Sequence, residues 1–311
     1  MKALVGNTGF VGSNLCVSGQ FDAVYHSTDI EKAYGTQPDL LIYAGIRAEK
    51  FIANSEPELD LERIHQAEFN IERIKPRKLV LISTVDVFPS PVGVDEHSMP
   101  DLTAPQAYGR NRALLEQWVR SHFPDALIVR LPALFGNGLK KNFLYDMIHL
   151  IPTMLRKEKL LELSEKDPEI RRFFIPCPNG FFKLDVPDNC RAELGKRFEA
   201  LDFTALRFTD SRSQFQFYSL FRLWEDLQTA LAHDLTFWHP ATEPVTASEI
   251  YHYCTGKTFH NEITQTPALY DYRTAYAELF GGCNGYIDSK AHILQQVRWF
   301  YHHERLSEIL D

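Results

Sequence analysis

The chain has 311 residues, 44% of them apolar, and a formal net charge of −8, enough for one large domain or a nucleotide-binding domain with a smaller partner. The acidic balance argues against nucleic acid as a partner, because that role needs an electropositive surface; a local basic pocket is still allowed. No apolar run approaches the ~20 residues that cross a bilayer, and no cleavable leader pattern is visible, so a cytoplasmic protein away from membranes is expected.

The first half alternates strand and helix signals. "KALV" at Lys2–Val5 reads as a buried strand, and a helix over 10–17 opens directly behind it. "DAVYHS" (22–27) and "DLLIYAG" (39–45) are further strands, with little chain between them. Ser55 and Glu58 offer a capping box around Pro57, and apolar positions then recur at helical spacing through Ile74. "KLVLIST" (78–84) has the Val/Ile/Leu content of a strand covered on both faces. Thr103 and Gln106 suggest a cap for the helix "AYGRNRALLEQWV", and "ALIVRL" (126–131) is the next strand.

This alternation predicts an α/β fold: a Rossmann-type, doubly wound parallel sheet, with ligands at the carboxyl ends of its strands. The expected dinucleotide-binding domain is residues 1–150, rejoined by about 221–241. There "FRLWEDLQTALAHD" reads as a helix and "LTFWHP" as one more strand. Residues 151–311 are expected to form a smaller substrate-binding region, with Thr246 and Glu249 capping one of its helices. The charged run at 156–172 reads as a solvated helix face.

Gly6, Gly9 and Gly12 are spaced three apart between a strand and a helix. Glycines let a backbone turn tightly and approach a ligand, and a helix start offers free N–H groups with partial positive charge. The context, more than the motif, points to a pyrophosphate seat.

In order, "GNTGFVG", "DLLIYAG", "LISTVDVF", "AYGRNRALLEQ" and "RLPALFGNGLKKN" resemble the short-chain dehydrogenase/reductase superfamily, in its extended branch of nucleotide-sugar epimerases, dehydratases and reductases. The resemblance implies a bound NAD or NADP. It assigns Gly6, Asn7, Thr8, Gly9, Phe10, Val11 and Gly12 to the cofactor, together with Ser27, Ala44, Gly45 and Pro132. The second strand ends in His26, Ser27 and Thr28, with Asp29 beyond, and does not decide between the two cofactors.

The resemblance also implies a catalytic Thr84, Tyr108 and Arg112. Tyr108 exchanges a proton with the substrate, and Thr84 holds the same oxygen. Arg112 stands where the family has Lys, four residues after the Tyr, and is expected to hold the ribose and lower the phenol's pKa. A cation about 4 Å away contributes roughly 4 kcal/mol at an effective dielectric of ~20. Arginine cannot give up its proton, so a relay through this side chain is lost. Read without the resemblance, Thr84 is a strand-end hydroxyl and Tyr108 a residue at the edge of a helix's buried stripe.

On the substrate side, Val85 and Asp86 stand where the dehydratases carry an Asp–Glu pair, which disfavours dehydration. Asp86 and Asn142 are expected to touch substrate; Lys140 and Lys141 read equally as an exposed basic loop. Relatives carry an arginine for the diphosphate where this chain has Phe215, Gln216 and Phe217, with Arg212 and Arg222 nearby. The five scattered cysteines form no CxxC pair and read as reduced thiols, and no metal site is visible among the histidines. The chain is therefore expected to be an NAD(P)-dependent oxidoreductase or epimerase of a sugar, with a nucleotide sugar as small-molecule partner and a homodimer as a possible assembly. The alternative is a catalytically degenerate NAD(P)-binding sensor or assembly protein.

Overall fold

The computed structural model describes residues 1–177 and 179–310. Its chain forms two compact units. The first takes Met1–Gly138, Phe215–Pro244 and Leu269–Ile293; the second takes Leu139–Gln214, Val245–Ala268 and Leu294–Asp311. The first segment thus ends at Gly138, short of residue 150, and the later chain rejoins it twice.

The first unit is built on Lys2–Val5 (β1), Phe10–Ser18 (α1), Ala23–Tyr25 (β2), Leu40–Tyr43 (β3), Lys50–Ser55 (α2), Pro57–Ile74 (α3), Lys78–Thr84 (β4), Ala107–His122 (α4) and Leu127–Leu131 (β5). The strand Phe237–Trp238 completes a six-stranded parallel sheet in the order Phe237–Trp238, β5, β4, β3, β1, β2. Alternate strand residues face opposite helices. Leu4, Ile42, Val80, Leu127 and Val129 pack with Leu15 of α1 and with the helix Leu223–Ala232. Ala3, Leu41, Leu79, Leu81 and Ile128 pack with Ile64 and Ile71 of α3 and with Leu115 and Val119 of α4. Burying one such Leu or Ile contributes about 1.5–3 kcal/mol before entropy is counted. Between β2 and β3 there is only a short 3-10 turn, Ile30–Ala33, as the brief connection suggested.

Two expected caps are absent. Ser55 closes α2, its hydroxyl donating to the Ile52 carbonyl at 3.1 Å, and Glu56 precedes α3 without a side-chain cap. Thr103 bonds the Asp101 carboxylate at 2.7 Å, and α4 starts after an uncapped Gln106. In each case a nearer polar partner took the side chain. The Thr246–Glu249 capping box does form.

A buried polar network ties the carboxyl half of β4 to its neighbours. Ser83 donates to Glu116 at 2.5 Å, and Arg130 grips the same carboxylate with Nε and Nη2, the latter at 2.7 Å. Arg130 also donates to His239 Nε2 at 3.2 Å. That bond requires a neutral ring protonated on Nδ1, which lies 3.2 Å from the Arg273 carbonyl. Burial, then the Arg130 charge, push the His239 pKa down from 6.5 to about 3. The unfolded chain therefore binds a proton that the native one refuses, and stability falls as pH drops from about 6.5 toward about 3. In thermal melts from pH 7 to pH 4, His239→Gln should flatten the decline; an unchanged slope would refute the assignment.

The second unit has its own core, in which Ile151, Leu155, Leu163, Phe174, Leu194 and Phe198 are buried. It contains a three-stranded antiparallel sheet of Met154–Arg156, Phe181–Leu184 and Phe174–Pro176. The expected solvated helix is Lys157–Lys166, which buries Leu160 and Leu163 only.

Candidate active site

The glycine turn lies where β1 ends. Gly6 adopts φ +95, and a Cβ there would stand 2.5 Å from the Ala44 carbonyl oxygen. A Cβ at Gly12 would stand 2.1 Å from the Gly6 oxygen. Both glycines are required by the chain's own packing, which seats α1 on β1 and β1 against the end of β3. Gly9 is different. It precedes α1 with an ordinary φ of −80, and its Cβ would meet only the Gly6 oxygen, at 3.3 Å. No side chain caps α1, so its first amides are left for something else, and the buried Asn7 Oδ1 has no partner. A glycine with a single close backbone neighbour, an uncapped helix start and an orphaned acceptor fit a pyrophosphate with its attached sugars.

Gly9→Ala should leave the melting temperature nearly unchanged and weaken NADPH binding, read by fluorescence titration. Gly12→Ala should lower both. If Gly9→Ala binds like wild type, the turn is not the anion seat.

Thr8, Phe10 and Val11 lie in this same turn and first helical residues. Ala44 and Gly45 follow β3, where the Ala44 N–H donates to the Val5 carbonyl at 2.9 Å. Pro132 separates β5 from the short strand Ala133–Phe135. Ser27 is exposed in a tight turn after β2. Asp29 closes that turn, accepting the His26 N–H at 2.7 Å and lying 3.6 Å from the His26 ring.

The catalytic candidates come together at the carboxyl end of β4. Thr84 is its last residue, and its hydroxyl accepts the Asp86 N–H at 3.2 Å. Tyr108 lies in the first turn of α4, buried, with its backbone N–H on Asn54 Oδ1 at 2.9 Å. Burial pushes its phenol above the ordinary value. The Arg112 charge and the nearby Thr84 hydroxyl oppose this, while Asp86 and Asp60 reinforce it. The expectation of a lowered pKa is overturned, because burial outweighs the Arg112 charge.

Arg112 is itself buried. Its guanidinium lies 4.0 Å from the Tyr108 ring centroid. It grips Asp60 with both terminal nitrogens, at 2.5 and 3.0 Å. The same nitrogens donate to the carbonyls of Tyr108 at 3.1 Å and Arg47 at 2.7 Å. All four terminal N–H groups are used, so the ribose contact expected of Arg112 is not made available. Its charge is balanced by Asp60, which also accepts from Asn111 Nδ2 at 3.0 Å. Asp60 was legible in principle: it sits seven residues before Ala67 and four before Ile64, on the buried stripe of α3.

Asp86, half-buried, accepts the Tyr270 hydroxyl at 2.8 Å and pairs with Lys50 Nζ at 3.0 Å, both through Oδ1. Neither Lys50 nor Tyr270 carried a sequence signal. Asn142 belongs to the second unit, where its side-chain oxygen accepts the N–H groups of Leu144 and Tyr145, and Lys140 and Lys141 precede it there. Gln216 is fully occupied in structure: its amide donates to the carbonyls of Thr242 and Tyr272 and accepts the Tyr272 N–H. Arg212 is held by Asp210 and Glu262, and Arg222 by Asp226. Among the described residues no group of His, Cys, Asp and Glu could hold a metal, and no helix is long and apolar enough to cross a membrane.

Residues 4–161 match the RmlD substrate binding domain family. The chain belongs to that family. The match spans every site residue named above from Gly6 to Asn142, including Lys50, and it places the protein in the extended short-chain dehydrogenase/reductase superfamily. No curated protein matches the chain. Solved structures share its fold at low identity. The dTDP-4-dehydrorhamnose reductase of Bacillus anthracis in complex with NADP is 16% identical over 97% of each chain, with a TM-score of 0.61. RMD of Pseudomonas aeruginosa, complexed with NADPH, is 13% identical over 98% of this chain and 99% of its own, TM-score 0.61. The UDP-glucuronic acid 4-epimerase of Bacillus cereus, with NAD, is 13% identical over 98% and 99%, TM-score 0.58.

Proposed function

We propose that this member of the RmlD family is an NAD(P)-dependent reductase or epimerase of a nucleotide-linked sugar, with Tyr108 as its proton donor. The observation that carries the reading is the buried Tyr108 in the first turn of α4, at the carboxyl end of β4 where Thr84 stands. That edge also holds the glycine turn, because all strands of the sheet run parallel. A bound nicotinamide would supply the hydride. The chain's own residues do the rest. Thr84 orients the reacting oxygen, Tyr108 gives it a proton, and the Arg112–Asp60 pair fixes the ring from behind. A phenol that keeps its proton at neutral pH can donate it to a carbonyl oxygen. Val85 has no proton to offer, so dehydration is not supported.

The pairing of Arg112 with Asp60 favours one rival: a dinucleotide-binding protein without turnover. One experiment separates them. NADPH and NADH binding is followed by fluorescence, and cofactor oxidation is then measured with a panel of nucleotide-linked 4-keto sugars and UDP-hexoses. Binding with turnover of any panel member supports the enzyme. Binding with none supports the rival, and failure of both cofactors to bind overturns both.

A further inference from the structure

A helix leaves its first amides without partners of its own, and a side chain on the residue just before it ordinarily takes the N–H of the second or third helical residue. In α4 that second residue is Tyr108, and the preceding Gln106 makes no such bond. The partner comes from another segment. Asn54, exposed near the end of α2, accepts the Tyr108 N–H on its Oδ1 at 2.9 Å, from 54 residues away. The chain around Asn54 holds the next turn of α4 as well: the Pro57 carbonyl accepts Asn111 Nδ2 at 3.2 Å, and the Arg47 carbonyl accepts Arg112 at 2.7 Å. Helix α2 also reaches the Thr84 side, where Lys50 pairs with Asp86 at 3.0 Å. Asp86 gives its own N–H to Thr84 Oγ1 at 3.2 Å. A Cβ at Gly109, next to Tyr108, would fall 1.9 Å from the Asp86 carbonyl oxygen. The turn that bears Tyr108 therefore rests on the residue that bonds Thr84, and α2 holds both.

We propose that Asn54 is a positioning residue for the reaction: it caps α4 from outside and so fixes where Tyr108 stands beside Thr84. The inference rests on the reading of Tyr108 as proton donor. An ordinary cap comes from the residue beside the helix and steadies the helix alone. Here the capped amide belongs to the residue that carries the phenol, and the cap belongs to a separate helix. Because Asn54 is exposed, water takes over the amide when the side chain is removed. The fold then survives, but the amide has no fixed acceptor. Misplacing a reacting group by about 1 Å can cost on the order of 10²-fold in rate.

Two readouts test this in the full-length protein. The first needs no turnover: in ¹⁵N-tyrosine-labelled protein the Tyr108 amide is assigned by its loss in Tyr108→Phe. Asn54→Ala should shift that resonance upfield and speed its exchange with solvent by about tenfold. Asn54→Asp, whose carboxylate accepts the same N–H and suits a helix start, should restore both. The second is steady-state turnover of the sugar that the panel identifies. Asn54→Ala should lower kcat by about tenfold, with KM little changed and the melting temperature down by only a few degrees, and Asn54→Asp should recover most of the rate. A merely structural residue would lower the melting temperature and leave kcat alone. Wild-type kcat in Asn54→Ala overturns the inference, as does a Tyr108 amide that does not move. If the wild type turns over nothing, the enzymatic reading has failed, and the amide alone then decides whether Asn54 holds Tyr108.

Discussion

Tyr108→Phe is expected to reduce turnover of the nucleotide sugar by about 10²–10⁴-fold and to leave NADPH binding within a few-fold of wild type. The phenylalanine keeps the ring that the Arg112 guanidinium covers at 4.0 Å, so the packing of α4 survives. Only the hydroxyl is lost, and with it the proposed proton donor. The pH profile follows from the direction of the shift. With the phenol held above its ordinary value of about 10, the wild-type rate should stay level through neutrality and fall only when the hydroxyl ionises. A profile that already falls between pH 7 and 8 would show a lowered phenol and contradict the buried geometry. A Tyr108→Phe variant with wild-type turnover would remove Tyr108 from the chemistry altogether.

The second large effect is on stability. Asp60→Ala strips the partner from a guanidinium that is 4% exposed, leaving a buried charge that only carbonyls solvate. Breaking a buried pair in this way costs about 3–5 kcal/mol. A loss of that size should appear as a large drop in the urea midpoint. Replacing both partners, Asp60→Leu with Arg112→Met, should be far milder, because no lone charge remains. The double variant also reports on function. Should it fold and bind NADPH yet turn over poorly, the pair positions Tyr108; should it turn over normally, the pair is only structural. Equal destabilisation by the single and double variants would show that packing, not charge, is what the pair supplies.

Much of the first unit was legible because its signals are local. A buried parallel strand needs an unbroken apolar run, and "KLVLIST" forms β4 over the whole predicted range, Lys78–Thr84. The glycine spacing marked the turn after β1. The tertiary contacts add that Gly6 and Gly12 are also required by packing, against the Ala44 carbonyl and the Gly6 carbonyl respectively. Caps were read less well. Ser55 and Thr103 had the right residue type, but each found a closer partner within its own turn.

The sequence by itself determined which residue types stand at the carboxyl ends of the strands: the glycines after β1, Thr84 closing β4, and Tyr108 one helical turn before Arg112. It did so because register along one strand or one helix is a matter of counting. What Arg112 pairs with, and what surrounds Asp86, depended on contacts between distant segments. Asp60 lies 52 residues from Arg112, and Tyr270 lies 184 residues from Asp86. Folding turned an expected ribose ligand into one half of a buried ion pair, and brought Lys50 to a carboxylate with which it shares no sequence pattern. A charge's effect is set by what lies within a few ångströms of it and by how much water it keeps, and neither is written in the local order of residues.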